Sequence, residues 1–439
     1  MANRIYLCLA HMSEAGLEQK YIQEAFDTNW VAPLGPNVNG FEEDLKAFVG
    51  QGKEVVALTT GTAAVHLSLI ACGVEPGDEV ITQSFTFCAS AHPVTYLGAT
   101  PVFVDSEKET WNMDPDLLEE AIKDRIAKTG KKPKVIMPVA LYGMPYQIDR
   151  ILEIANRYDI PVVEDAAEGF GSRYDGQVLG TFGRYGILSF NGNKMITTSG
   201  GGALICPNKE EGERVMWYAT QARESYPYYQ HETIGYNYRM SNICAGIGRG
   251  QMTIVNEHIA HHQHVHQLYV ELFSKIDGIE VHSQPANGRY ASNYWLTSIT
   301  IDESLKIKGQ ENAYKEIITS PVGGVPAVIH AASSARTDCQ PNDNVEALRM
   351  ALEKAGIESR PLWKPMHKQP VYCRTNEKLG MRNEELSHGI IRQTSATSVA
   401  YVNGVSENIF KKGMCLPAGP WVKDEDVKRI VETIKANII

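Results

Sequence analysis

The sequence has no pair of cysteines at C-x-x-C spacing, no excess of basic residues and no apolar run of membrane-spanning length. Its eight cysteines are scattered from Cys8 to Cys415. They read as free thiols of a reducing compartment, not as a disulfide framework or a zinc site. The formal charge is −10, which excludes a general cationic surface for nucleic acid or anionic membrane. A phosphate-bearing ligand would have to be held by local cations or helix N-termini. The apolar run Ile5 to Ala10 is too short for a signal segment and lacks a clear cleavage site. Nothing approaches the roughly 20 apolar residues of a membrane span, and a cytoplasmic protein is expected. No G-x-G-x-x-G follows the first strand signal. Gly200-Gly201-Gly202 precedes a strand, not a helix, so it fails as a dinucleotide loop and reads as a tight turn near a ligand.

What is present is regular. At roughly 150 residues per domain, 439 residues suggest two or three domains. Short apolar runs predict strands at Glu54–Leu58, Glu79–Thr82, Thr100–Val104, Lys134–Leu141, Ile160–Glu164, Gly186–Phe190 and Gly202–Cys206. Helix-like segments lie between several of them, as at Thr62–Cys72, Pro115–Lys128 and Gln147–Tyr158. That alternation, with strands apolar throughout, predicts an α/β domain whose mostly parallel seven-stranded sheet is covered on both faces. Met240 to about Ile276 reads as one long helical stretch. A strand at Trp295–Ile301 and helices at about Asn344–Ala355 and Lys423–Ala436 suggest a smaller α+β unit. The division expected is 1–262 and 263–439, with an insertion around 303–343 that has little regular core.

Ligands of open α/β sheets bind outside the carboxyl ends of the strands. Thr59-Thr60-Gly61-Thr62 falls there after the first predicted strand, Phe87 after the second, and Asp165 after Val162-Val163-Glu164. Ser189 closes the Gly186–Phe190 strand and Lys194 follows five residues on. Thr60-Gly61-Thr62-Ala63 offers backbone N–H groups at a helix start, suited to a phosphate, to which the Ser189 hydroxyl adds a donor. Asp165 could keep a pyridine nitrogen protonated. Phe87 offers a face for stacking, and a lysine can form an imine with an aldehyde. Singly, each has an ordinary reading: Thr60 or Thr62 and Asp165 as caps, Phe87 as core, Lys194 as a surface lysine. Together they match pyridoxal 5'-phosphate (PLP).

Val163-Glu164-Asp165-Ala166-Ala167-Glu168 and Leu188-Ser189-Phe190-Asn191-Gly192-Asn193-Lys194 resemble the DegT/DnrJ/StrS family of nucleotide-sugar aminotransferases. So do Thr60-Gly61-Thr62-Ala63-Ala64, Phe85-Thr86-Phe87 and Gly235-Tyr236-Asn237-Tyr238-Arg239-Met240. The resemblance implies a fold-type I PLP-dependent aminotransferase working as a homodimer with a shared active site. By position it implies Lys194 as the Schiff-base lysine, Asp165 on the pyridine nitrogen, Phe87 on the ring and Glu168 at the ring hydroxyl. Gly61, Thr62 and Ser189 would hold the phosphate, and Asn237 would reach it from the partner subunit. Glutamate is the implied amino donor and a nucleotide keto-sugar the acceptor. A finer similarity, to the branch that makes UDP-4-amino-4,6-dideoxy-N-acetylglucosamine, lies in Asn29-Trp30-Val31-Ala32-Pro33-Leu34-Gly35 and Arg360-Pro361-Leu362-Trp363-Lys364-Pro365-Met366-His367. It implies a 4-keto-6-deoxy acceptor, with Asn29, Trp30, Val31, Ala32, Trp363, Lys364, Pro365, Met366 and His367 as substrate contacts. Many family members have Glu where this chain has Gly200.

His258, His261, His262, His264 and His266 fall together, with His258–His262 and His262–His266 on one helical face. No carboxylate or cysteine completes a metal set, so a solvated or subunit-facing helix is expected and no metal.

Overall fold

The computed structural model describes residues 4–314, 339–373, 382–386 and 389–439. The insertion expected at 303–343 lies outside the described residues from 315 to 338.

All seven predicted strands of the first two-thirds form. They are β1 (Glu54–Leu58), β2 (Glu79–Gln83), β3 (Thr100–Val104), β4 (Val135–Met137), β5 (Val163–Asp165), β6 (Tyr185–Ser189) and β7 (Gly202–Cys206). Hydrogen bonding orders them β1-β7-β6-β5 and β4-β2-β3. The halves join through parallel bridges Ile136–Val162 and Val139–Asp165, with Asp165 N–H donating to Pro138 O at 2.9 Å. Only β7 runs antiparallel to its neighbours; β5–β6, β2–β3 and β2–β4 are parallel. Val/Ile-rich strands buried along nearly their whole length are what a sheet covered on both faces requires.

The sheet is larger than expected. Val399–Val402 pairs parallel with β3, and Ile391–Thr394 and Arg382–Glu385 extend it antiparallel. Asp105 secures this return of the chain. Its carboxylate accepts N–H groups of Gly404 at 2.9 Å, Asn403 at 3.2 Å and Ser406 at 3.1 Å.

Local signals account for the helices. Asp114 caps Pro115–Thr129 by accepting the Asp116 N–H at 2.8 Å, Pro115 opens it, and Gly130 at φ 70° ends it. The predicted Met240–Ile276 helix is two, Asn242–Met252 and Val255–Phe273. Thr253 Oγ1 donates back to Gly250 O at 2.6 Å and closes the first.

A second core gathers Ile5, Val265, Tyr269, Ile299, Leu348, Met414 and Ile430. It is built on a small antiparallel sheet of Ile279–Val281, Thr297–Ile301, Gly413–Leu416 and Arg360–Pro361. The last helix, Asp424–Asn437, buries Val427, Ile430, Val431 and Ile434, a single stripe at helical spacing. Among the described residues no helix is long and apolar enough to cross a membrane.

Candidate active site

The carboxyl ends of the strands converge on one cavity of about 280 Å³. Gly61, Thr62, Phe87, Asp165, Glu168, Ser189 and Lys194 all line it, as do Gly200 and Gly201.

Strand alternation explains the acidic wall. Successive side chains of β5 point to opposite faces. Glu164 turns away from the cavity and accepts N–H groups of Gly180 at 3.1 Å and of Phe182 and Gly183 at 2.7 Å each. Asp165 then faces the cavity. Its Oδ2 accepts the Ser90 hydroxyl at 2.6 Å and its Oδ1 the Ala167 N–H at 3.2 Å. Burial pushes the Asp165 carboxyl above the usual range, while Ser90, Ala167 and the Lys194 charge oppose that rise. Glu168 follows in the turn. Its Oε2 accepts the Tyr142 N–H at 2.7 Å and its Oε1 the Trp363 indole N–H at 3.3 Å. Burial raises its pKa too, with Lys194 the main opposing influence.

Lys194 is half-buried and guided from two sides. Its Nζ stands 3.6 Å from Glu168 Oε1 and 4.0 Å from the centroid of the Trp295 ring. The loop that carries it is pinned at both flanks. Trp295 Nε1 donates to Asn193 O at 2.6 Å, and His258 Nδ1 donates to Met195 O at 3.1 Å. Sequence reasoning placed Trp295 in a strand and gave it no part in the site. Ser90 and Tyr142 were likewise unmarked, because nothing local distinguishes them.

The opposite end of the cavity is a helix N-terminus. Thr60 Oγ1 accepts the Ala63 N–H at 2.9 Å and starts Gly61–Ala71. A Cβ on Gly202 would lie 2.4 Å from Gly61 N and from Thr60 C, and one on Gly61 would lie 3.0 Å from Ser189 Cβ. Absent side chains therefore let β6, β7 and the helix start close on one another, leaving backbone N–H groups and the Ser189 hydroxyl at one spot. A phosphate fits that cradle, a flat cationic heterocycle suits the buried Asp165, and Lys194 reaches between them. The residues fit PLP.

Against the wall formed by Phe87 and Trp363 lies a second cleft of about 420 Å³, also lined by His92, Lys364, Met366 and Gln369. The two rings stand 5.7 Å apart. Other predicted contacts are placed differently. Pro365 is buried and lines neither space. His367 is turned into the protein, with Nδ1 2.6 Å from Ser84 Oγ and Nε2 3.2 Å from Glu407 Oε1, so it braces the wall without facing the cleft. Asn29, Trp30 and Val31 are exposed and Ala32 half-buried, on a loop tied by Asn242 to Trp30 O and Ala32 O at 2.9 Å each. They do not line the Lys194 cavity of their own chain. Asn237 is exposed and does not line it either.

The histidine helix differs from expectation. His258, His262 and His266 are buried, while His264 is exposed and meets Asp424 at 2.8 Å. Among the described residues no group of three or more His, Cys, Asp and Glu could hold a metal ion.

A profile of the DegT/DnrJ/EryC1/StrS aminotransferase family matches residues 13–319. EpsN of Bacillus subtilis (strain 168) is 40% identical over 434 residues, 99% of this chain and 96% of that protein. The GDP-perosamine synthase of Escherichia coli O157:H7 is 30% identical, with 98% of each chain covered. The crystal structure of a DegT DnrJ EryC1 StrS aminotransferase from Brucella abortus superposes with a TM-score of 0.76 at 25% identity, covering 96% of this chain and 95% of that one.

Proposed function

Because the chain belongs to the DegT/DnrJ/EryC1/StrS aminotransferase family and is a PLP-dependent aminotransferase, we propose that it moves an amino group from glutamate to a 4-keto-6-deoxy nucleotide sugar, a UDP-linked N-acetylated hexose. The observation that carries this reading is the wall shared by the two spaces. Phe87 and Trp363 face both the Lys194 cavity and the larger cleft, so an extended substrate can put its carbonyl at the lysine and its nucleotide outside.

Bound at this site, PLP supplies an aldehyde carbon that amines can take over and a ring that accepts an electron pair. The residues do the rest. Gly61, Thr62 and Ser189 hold the phosphate. Asp165 keeps a proton on the ring nitrogen, and the cationic N–H is the charge partner that its buried carboxylate requires. Phe87 covers one ring face, and Glu168 meets the ring hydroxyl. The Lys194 amine, once displaced, takes the Cα proton of the donor as a general base and returns a proton at the sugar carbon in the second half-reaction. One group serves both directions because its protonation state alternates between them. The exposed Asn237 and the loop Asn29–Ala32 belong, in this reading, to the neighbouring site of a homodimer.

The likeness to GDP-perosamine synthase over nearly the full chain favours a GDP-linked keto-sugar as the second reading. Incubation with glutamate and a panel of UDP- and GDP-linked 3-keto and 4-keto sugars separates the two. The purified protein should be yellow and bleach on addition of glutamate. Lys194→Ala should abolish turnover, and a variant that still transaminated would overturn the assignment of the lysine.

A further inference from the structure

Tyr142 sits in a strained position that links the two spaces. Its backbone has φ 53° and ψ 19°, the left-handed region, inside the turn Leu141–Gly143. A non-glycine residue is strained there, so its surroundings must fix it. They do. Leu141 N–H donates to Asn112 Oδ1 at 3.1 Å. Gly143 O accepts the hydroxyls of Ser172 at 2.6 Å and Ser292 at 3.0 Å.

That conformation gives Tyr142 two separate reaches. Its own N–H donates to Glu168 Oε2 at 2.7 Å, and its hydroxyl oxygen accepts the backbone N–H of Trp363 at 2.8 Å. Trp363 closes the loop with its indole N–H on Glu168 Oε1 at 3.3 Å. The same Oε1 stands 3.6 Å from Lys194 Nζ. Tyr142 is fully buried and lines neither space, so substrate does not touch it.

We propose that Tyr142 is a positioning residue that tethers Trp363, the wall of the outer cleft, to the Glu168–Lys194 pair, so that the acceptor is registered against the amine. Resting on the substrate reading above, this makes Tyr142 matter for the sugar half-reaction and not for the donor one. The main-chain bond to Glu168 persists whatever the side chain, whereas the bond to the Trp363 N–H needs the hydroxyl. The far end of the same segment is independently fixed, with Met366 N–H donating to Ser84 O at 2.7 Å.

The test uses Tyr142→Phe in the PLP-loaded enzyme, with Trp363→Phe as second variant. Phe keeps the ring and the backbone and removes the hydroxyl, with its bond to Trp363 and its contact to Cys415. Hydrogen–deuterium exchange should quicken in peptides covering 362–371 while peptides covering 163–170 and 188–196 stay as in the unaltered protein. The KM for the keto-sugar nucleotide should rise about tenfold, the equivalent of one buried donor left unpaired. The kcat and the rate of bleaching by glutamate should hold, and the combined variant should be no worse than the poorer single one. Unchanged exchange at 362–371, or an equal loss in both half-reactions, would overturn the tether. If no keto-sugar nucleotide is aminated by the unaltered enzyme, the substrate reading fails, and the exchange measurement still decides the role of Tyr142.

Discussion

Ser90 donates its hydroxyl to Asp165 Oδ2 across 2.6 Å, and Thr86 Oγ1 lies 2.8 Å from the same hydroxyl. This chain of small polar side chains orients a carboxylate that burial disfavours. Burial already raises the Asp165 pKa, and Ser90 pulls it back. Ser90→Ala therefore lets it rise further, so the charged form needed at the ring nitrogen survives only at higher pH. We expect kcat/KM to fall about tenfold, the worth of one hydrogen bond to a charged group, and the acid limb of the pH profile to move upward. A steady-state profile from pH 5 to 9 checks both. An acid limb left where it was would remove Ser90 from the account.

Gly202 and Gly200 are two residues apart and should respond oppositely. A Cβ on Gly202 meets only backbone, at 2.4 Å from Gly61 N and Thr60 C, so nothing flexible can yield. Gly202→Ala should drive the helix start from β7, opening the phosphate cradle. PLP retention on dialysis should fall at least about tenfold, in line with strain of 1–3 kcal/mol. Gly200 has open space around it and no left-handed backbone. Gly200→Ala should keep the cofactor and the melting temperature, and loss of PLP there would show that the cradle argument misplaces the constraint.

Glu42 and Arg239 form a buried pair that connects three segments. Arg239 Nη2 donates to Glu42 Oε2 at 3.1 Å, Arg239 Nη1 donates to Ala57 O at 3.0 Å, and Ala57 N–H donates to Glu42 Oε1 at 2.8 Å. Helix Pro36–Val49, strand β1 and the segment before Asn242–Met252 are thereby fixed to each other. Glu42→Ala strands a buried guanidinium and the Ala57 N–H. Unfolding in urea should show a loss of about 3–5 kcal/mol. Replacing both residues by apolar ones of similar volume should recover much of it, and a Glu42→Ala protein as stable as the unaltered one would refute the reading.

What could be read from the sequence was whatever has a local cause. Strand β1 is an apolar run with turn residues on both sides. Asp114, Pro115 and Gly130 mark a helix start and end. Asp165, Ser189 and Lys194 sit at strand ends, so topology alone brings them to one rim. Pairings across hundreds of residues leave no such trace. Val399–Val402 is an ordinary apolar run, and nothing in it announces β3 as a neighbour nearly 300 positions earlier. Trp295 and Tyr142 serve the site through one N–H and one hydroxyl, and their neighbours in sequence give no sign of it. His367 failed in the other direction. Its place beside Trp363 and Lys364 pointed to the substrate, but Ser84 and Glu407 occupy both ring nitrogens. From the sequence the histidine helix reads as solvated or subunit-facing, because no carboxylate or cysteine completes a metal set beside it. His11, the Met195 backbone and Tyr294, on which His266 stacks, cover its histidine stripe instead.

That stripe contributes to the acid sensitivity of the fold. Burial lowers the pKa of His262 to about 3, with His261 and His258 adding repulsion, and burial lowers His266 to about 4. His282, stacked on Trp111 at 3.7 Å, is lowered to about 3, again chiefly by burial. In the unfolded chain the same rings take up protons near pH 6.5. Between about pH 6.5 and the folded values the unfolded state thus binds more protons, and stability rises with pH. The three contributions are complete above about pH 6.5 and are lost on acidification. Each adds a slope of roughly 1.4 kcal/mol per pH unit once its unfolded form is protonated. Between pH 5 and 6, where most carboxylates are still charged, the free energy of unfolding should already decline. His262→Leu, close in volume and unable to titrate, should make that decline shallower. Urea melts of both proteins at half-unit steps from pH 5 to 8 measure it, and parallel curves would mean that His262 gains a proton partner in the folded protein.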